Sequence, residues 1–205
     1  MILALKVKTQ SINDNEKNLF KESATRSFSL TNEIKVIGLY NPEKGYKYFV
    51  NESNEKELLE EFWAYVNSFN NLILTGFWCK TFDIPLLYQR TFINKIELTN
   101  FKFPLPEELG SYKADKAINK FKDLACIWNC GNYKSFDTLY TVALAFNLFY
   151  DDNDRKFYCK EDEQKELFWQ RWMEMFSTTN PAANPSKQFL NLQLSLIYKL
   201  SNFLL

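Results

Sequence analysis

The sequence predicts an α/β fold, a mixed central sheet flanked by helices with further helices toward the carboxyl end. Three observations carry this reading. Apolar residues make up 46% of 205 residues, enough for a sizeable core. Only 5 Gly and 6 Pro are present, which argues against a linker-rich or disordered chain. The strand-like segments begin as a hairpin and then alternate with helical periodicity, an order that lays helices on both sheet faces. The length suits one domain, so residues 1–205 are expected to form a single unit, helical from about residue 150.

The elements follow in order. Residues 2–9 alternate and are rich in aliphatics, a first strand, whereas 10–30 are polar and read as a loop. Residues 33–40 and 46–51 are two further strands, joined by Asn41-Pro42-Glu43-Lys44-Gly45. That turn has hairpin chemistry, with Pro presetting one dihedral and Gly supplying a positive φ. Residues 53–57 open a helix whose apolar face is Leu58, Leu59, Phe62, Trp63, Tyr65, Val66 and Phe69. Residues 72–77 form a short apolar strand of the kind buried on both faces. Asp83 is placed to cap the next helix, with Pro85 near its start and an end near Asn94. A fifth strand is expected over 121–128, helices over 135–148 and 161–176, and a last helix over 186–205 after the breaker at 180–185.

Composition excludes several chemistries. The 25 basic and 25 acidic residues cancel, so no global positive field draws the chain onto nucleic acid, and this balance favours a protein partner. Histidine is absent, which removes Cys/His zinc patterns and the Ser-His-Asp and Cys-His sites. Of Cys79, Cys126, Cys130 and Cys159 only the middle two lie close, spaced CxxxC without a second pair; free thiols in a reducing compartment are expected. No apolar stretch reaches membrane-spanning length, and residues 189–205 are interrupted by Asn191, Gln193, Lys199 and Asn202. A soluble cytoplasmic protein without membrane contact is expected.

The most specific stretch is Gly76-Phe77-Trp78-Cys79-Lys80-Thr81-Phe82-Asp83-Ile84-Pro85-Leu86-Leu87-Tyr88-Gln89-Arg90. It resembles the second motif of the DEDD-type 3′–5′ exonuclease superfamily, in the branch similar to the proofreading domain of family-B DNA polymerases. Phe82-Asp83-Ile84-Pro85-Leu86-Leu87 and Arg90 match, while Trp78 occupies the position usually held by asparagine. Phe121-Lys122-Asp123-Leu124 followed by Trp128 resembles a later strand of that family, and residues 131–148 its next loop and helix. The resemblance implies an RNase H-like fold. It also implies a site in which carboxylates at strand ends hold two Mg²⁺ or Mn²⁺ ions that activate water and stabilise the leaving oxygen of a phosphodiester. Taken alone, Asp83 reads as a simple helix cap, but a cap does not require the flanking Phe, Pro and Arg pattern.

The acidic pattern departs from the family. Its first strand carries Asp-x-Glu-Thr, and the matching stretch here is Leu5-Lys6-Val7-Lys8-Thr9. Lysines at both acidic positions change the local charge by about four units where two dications would sit. The strand also reads as an ordinary amphipathic one with solvated lysines. The third motif, Tyr-x-x-x-Asp on a late helix, has two candidates. Tyr158 and Asp162 have the residue types, whereas Phe189 and Gln193 lie where the motif helix falls in the family, and the second alignment is preferred. On it Asp83 is the one surviving ligand, with Asp123 a bystander, and Lys6 or Lys8 is expected to pair with Asp83.

Three functions follow as expectations. The first is a pseudo-nuclease without cofactor, retained for binding single-stranded nucleic acid or a protein in replication, repair or assembly. The second is an active Mg²⁺- or Mn²⁺-dependent exonuclease using displaced ligands, Asp83, Asp123, Tyr158 and Asp162. The third is a structural subunit of a larger complex, using apolar faces of the C-terminal helices. Trp63, Trp78, Trp128, Trp169 and Trp172 are expected mostly in the core, with stacking on bases or a partner as the alternative.

Overall fold

The computed structural model describes residues 1–11, 32–98, 120–131, 137–163 and 185–205. Its elements are β1 (Ile2–Ser11), β2 (Asn32–Asn41), β3 (Gly45–Val50), α1 (Glu55–Asn67), β4 (Ile73–Gly76), α2 (Asp83–Ile93) and β5 (Phe121–Asp123). The helices α3 (Leu124–Trp128), α4 (Leu139–Ala145), α5 (Asp152–Glu163) and α6 (Pro185–Leu204) complete it. The strands form one sheet in the order β3-β2-β1-β4-β5. β1, β2 and β3 pair antiparallel, whereas β4 pairs parallel to β1 and β5 parallel to β4.

Local chemistry explains the elements. The β2–β3 turn is closed by the Asn41 side chain, whose Oδ1 accepts from the amides of Glu43 at 2.9 Å and Lys44 at 3.3 Å. Gly45 follows at φ +70°, a left-handed conformation suited to glycine. Asn54 caps α1 by accepting from the Lys56 amide at 3.1 Å. The alternation of β1 then divides the core. Leu3, Leu5 and Val7 join Leu58, Phe62, Leu86 and Leu87 on the face covered by α1 and α2. Ala4 and Val36 face the other way, against Leu190, Leu194 and Ile197 of α6. The approach of α6 depends on Gly38, because a Cβ there would stand 2.9 Å from Leu194 Cδ1 and 3.0 Å from Leu190 Cδ2.

Five expectations are corrected. The fifth strand ends at Asp123 instead of continuing to Trp128, because the Asp123 carboxylate caps α3 through the amides of Ala125 and Cys126. The helix expected over 135–148 is the shorter α4, started by Thr138, whose hydroxyl accepts from the Thr141 amide. Helix α5 begins at Asp152, nine residues before the helix expected from 161; residues 164–176 lie outside the described residues. The loop expected over 10–30 starts later, since β1 continues to Ser11, and 12–31 lie outside the described residues. Asp83 is not a cap: Phe82 holds that position without a side-chain bond, and Asp83 is the first helical residue. Trp63 is buried and Trp78 and Trp128 are half-buried, whereas Trp169 and Trp172 lie outside the described residues.

Candidate functional site

The site forms where β1 outruns its parallel neighbour. β4 pairs with β1 only from Ile2 to Ala4, which leaves the next amides of β1 facing the start of α2. Asp83 fills that gap, its Oδ1 accepting from the Val7 amide at 3.2 Å. Lys6 then reaches the same carboxylate, its Nζ lying 3.2 Å from Oδ2 and 3.3 Å from Oδ1. Asp83 has no exposed side-chain surface, while Lys6 keeps 22% of its own. Burial pushes the Asp83 carboxyl above its ordinary range, and the Lys6 charge and hydrogen bond, the Val7 amide and Lys8 oppose that rise. The ion pair expected between Asp83 and Lys6 or Lys8 is thus present, and Lys6 makes it.

Lys8, two residues along the strand, lies on the same sheet face as Lys6. Its ammonium stands 5.4 Å from the centroid of the Phe189 ring on α6, within cation–π range. Phe189 is buried and meets Tyr158 of α5 at 5.0 Å between centroids. The two candidate third motifs therefore lie side by side. Tyr158 is itself buried among rings, stacked on Tyr140 at 5.5 Å and edge-on to Phe149 at 5.9 Å. The backbone of Asp162 belongs to α5, but its side chain lies outside the described residues. Gln193, one helical turn past Phe189, is buried, and its Oε1 accepts no hydrogen bond from the described residues.

Asp123 plays a different part. Its Oδ1 accepts from the amides of Trp78 at 3.0 Å, Ala125 at 3.0 Å and Cys126 at 3.4 Å. Its Oδ2 accepts from the Lys80 amide at 2.9 Å. One carboxylate thus ties the loop after β4 to the start of α3. Burial raises its proton affinity, and the same four amides pull it down. Trp78 sits in this loop at φ +59°, a left-handed conformation that costs a bulky residue about 1–2 kcal/mol. Asparagine tolerates that conformation, which rationalises the residue usual here in the resembling family. The Trp78 indole donates to the Asp137 carbonyl at 3.2 Å, so its ring is held in place.

Sequence reasoning passed over three residues of this region. Cys79 is buried, and its thiol is pushed up by burial and then by the negative charges of Asp123 and Asp83. Gly76 makes room for it, since a Cβ there would meet the Cys79 Cβ at 2.6 Å. Lys80 is pulled below the ordinary lysine range by burial, which disfavours its charged form. Their positions inside the Gly76–Arg90 stretch were the available signal. Nothing in their spacing says which of them turn inward.

The donor set does not fit two divalent cations. Asp83 is committed to Lys6 and Val7, and Asp123 to four backbone amides. Among the described residues no three His, Cys, Asp or Glu side chains come together as metal ligands. Mg²⁺ demands oxygen ligands, and a lysine ammonium in their midst repels it.

Residues 27–127 match the family described as "Predicted 3'-5' exonuclease related to the exonuclease domain of PolB". Among solved structures the chain resembles that of the family B DNA polymerase from the hyperthermophilic archaeon Pyrobaculum calidifontis, with a TM-score of 0.64 and 14% identity. The likeness covers 99% of this chain and 24% of the polymerase, so this chain spans about a quarter of that protein's length. No curated protein matches the sequence. The mixed sheet with helices on both faces is the RNase H-like fold.

Proposed function

We propose that this chain, similar over residues 27–127 to a predicted 3′–5′ exonuclease family related to the exonuclease domain of PolB, binds without hydrolysing. Residues 1–205 act as one RNase H-like domain serving replication, repair or assembly through a nucleic acid or protein partner. The observation that carries this reading is the Lys6–Asp83 ion pair at 3.2 Å. An ammonium there supplies one fixed positive charge where active relatives gather carboxylates around dications. A lysine ammonium coordinates no water, so it does not lower the pKa of an attacking water as a bound dication would. Lys8, committed to the Phe189 ring, takes the second position of that pattern and adds positive charge.

An active site built on displaced ligands is less well supported. Asp123 spends its oxygens on backbone amides, and Tyr158 is enclosed by Tyr140, Phe149 and Phe189. Hydrolysis is tested by incubating the purified chain with labelled single-stranded DNA and RNA in Mg²⁺ and in Mn²⁺. No shortening of either strand is expected. Shortening that disappears in Asp83→Ala would overturn the proposal. A binding readout complements it: Lys6→Asp combined with Lys8→Glu is expected to gain Mn²⁺-dependent thermal stabilisation that the native chain lacks.

A further inference from the structure

β3 is the first strand in the sheet order β3-β2-β1-β4-β5, and among the described residues no strand pairs with its outer edge. The ladder fixes which backbone groups that edge presents. Asn51 donates its amide to the Lys35 carbonyl at 2.8 Å, so residues 35 and 51 form a hydrogen-bonded pair. In an antiparallel ladder such pairs alternate with pairs whose backbone groups point away from each other. Val50, Tyr48 and Tyr46, opposite Val36, Gly38 and Tyr40, are of the second kind. Each therefore turns one amide and one carbonyl toward the free edge.

Apart from one lysine, the strand carries none of the devices that blunt an edge. It has no proline, and it pairs with β2 without a register shift from Gly45 to Val50. Tyr46, Tyr48, Phe49 and Val50 are residue types that favour strands. Both faces hold it in strand geometry. Asn191 of α6 accepts the Tyr48 hydroxyl proton, while Phe49 packs on Phe62 at 5.6 Å and on Tyr65 at 5.7 Å. The edge is thus pre-formed, and a partner strand meets little ordering cost.

We propose that a second copy of this chain pairs with this edge, β3 against β3 and antiparallel, about a twofold axis at Tyr48. The backbone admits only registers in which an outward residue faces an outward residue. Pairing centred on Lys47 sets lysine against lysine, and pairing centred on Phe49 engages only residues 48–50 of each strand. Centred on Tyr48, it engages residues 46–50 and sets Tyr46 against Val50 of the second copy. Lys47 then meets Phe49 of the second copy, a ring it already faces at 5.3 Å in its own chain. Just outside the strand, exposed Lys44 falls opposite exposed Glu52 of the second copy, and symmetry repeats that contact. Glu43 falls opposite Ser53 of the second copy. On the α1 face, Glu61 stands one turn before Tyr65, the ring that Lys47 faces at 5.8 Å, so both signs are present there. On the α6 face, Lys187 lies 5.0 Å from the Tyr48 centroid and approaches its counterpart across the axis, a cost of this register. A foreign strand would satisfy the same amides; the opposite charges before and after β3, Lys44 and Glu52, select a copy running antiparallel to itself.

The test is sedimentation velocity of the full chain from about 1 μM to about 1 mM, with amide exchange followed residue by residue. A dimer is expected, with the Tyr46, Tyr48 and Val50 amides gaining protection as it forms. Tyr46→Pro deletes an outward donor, leaves the β2 ladder intact and should weaken dimerisation by at least about tenfold. Lys44→Glu alone and Glu52→Lys alone should each weaken it at low salt, and the two together should restore it. Thermal melts of each variant establish that the fold is retained. A chain that stays monomeric overturns the proposal, as does a dimer untouched by Tyr46→Pro or by the charge exchange. Protection of those amides in a monomer would assign the edge to another segment of the same chain. A different protein that co-purifies until Tyr46→Pro is made would assign it to a foreign strand, and either result also overturns the proposal. None of these outcomes depends on whether the Asp83 site cuts.

Discussion

Two ion pairs anchor α2, and they differ in how completely the protein satisfies them. At Arg90, Nε lies 2.9 Å and 3.0 Å from the two Glu55 oxygens and a terminal nitrogen adds a further contact. Glu55 also accepts from the Ile34 amide at 2.6 Å and the Asn94 amide group at 2.8 Å. The side chains are 8% and 5% exposed. The guanidinium fork matches the carboxylate bidentately and locks α1, α2 and β2 together. The Lys6–Asp83 pair is looser, with one ammonium against one carboxylate and the lysine reaching water. The first pair is internal architecture. The second neutralises a buried acid beside the central strand β1, beyond the end of its pairing with β4, where the resembling family keeps its chemistry.

The largest effect should come from breaking the enclosed pair. Arg90→Met is expected to cost about 3–5 kcal/mol in urea unfolding, because Glu55 is left buried without its counter-charge. A loss under about 1 kcal/mol would mean the two pairs are energetically alike. Lys6→Met should cost less, about 1–3 kcal/mol, since Lys6 is partly exposed and shortening it lets water approach Asp83. In the double variant Lys6→Met with Asp83→Asn the losses should fall short of additivity by about 1 kcal/mol. Additive losses would show that the pair is uncoupled.

The pH dependence sharpens the contrast further. The Asp83 carboxyl is raised above 3.8 in the folded chain, so folding takes up protons there. Its burial penalty is relieved below the unfolded value and grows as pH rises through the folded one, so stability falls with pH across that window. Lys6→Met removes the largest opposing charge and should steepen this fall, measured by urea midpoints from acid to neutral pH. An unchanged slope would mean that Lys6 does not control the Asp83 proton. Lys8→Met should give the smallest change, about 0.5–1 kcal/mol from the lost contact with Phe189.

Much of the fold was legible before any coordinates. The first four strands, α1, α2 and α6 appear close to where the periodicity places them, because their apolar faces are long and regular. The region after Phe121 was less legible. Asp123 and Thr138 end or begin elements through single side-chain bonds to backbone, which hydropathy does not register. The candidate site divides the same way. The stretch around Asp83 and the lysines of β1 stand out as residue types, yet whether Asp83 caps its helix or turns toward β1 depends on a neighbour 77 positions away.

Residue order along the chain settled the α/β class, the Gly76–Arg90 stretch and the lysines in place of acids, since local periodicity and residue type are one-dimensional properties. Tertiary packing alone decided that Lys6 closes on Asp83, that Asp123 is consumed by backbone amides, and that α6 crosses the sheet at Gly38. Those outcomes depend on which strand ends first and which helix crosses which glycine, and such contacts are set by distance in space.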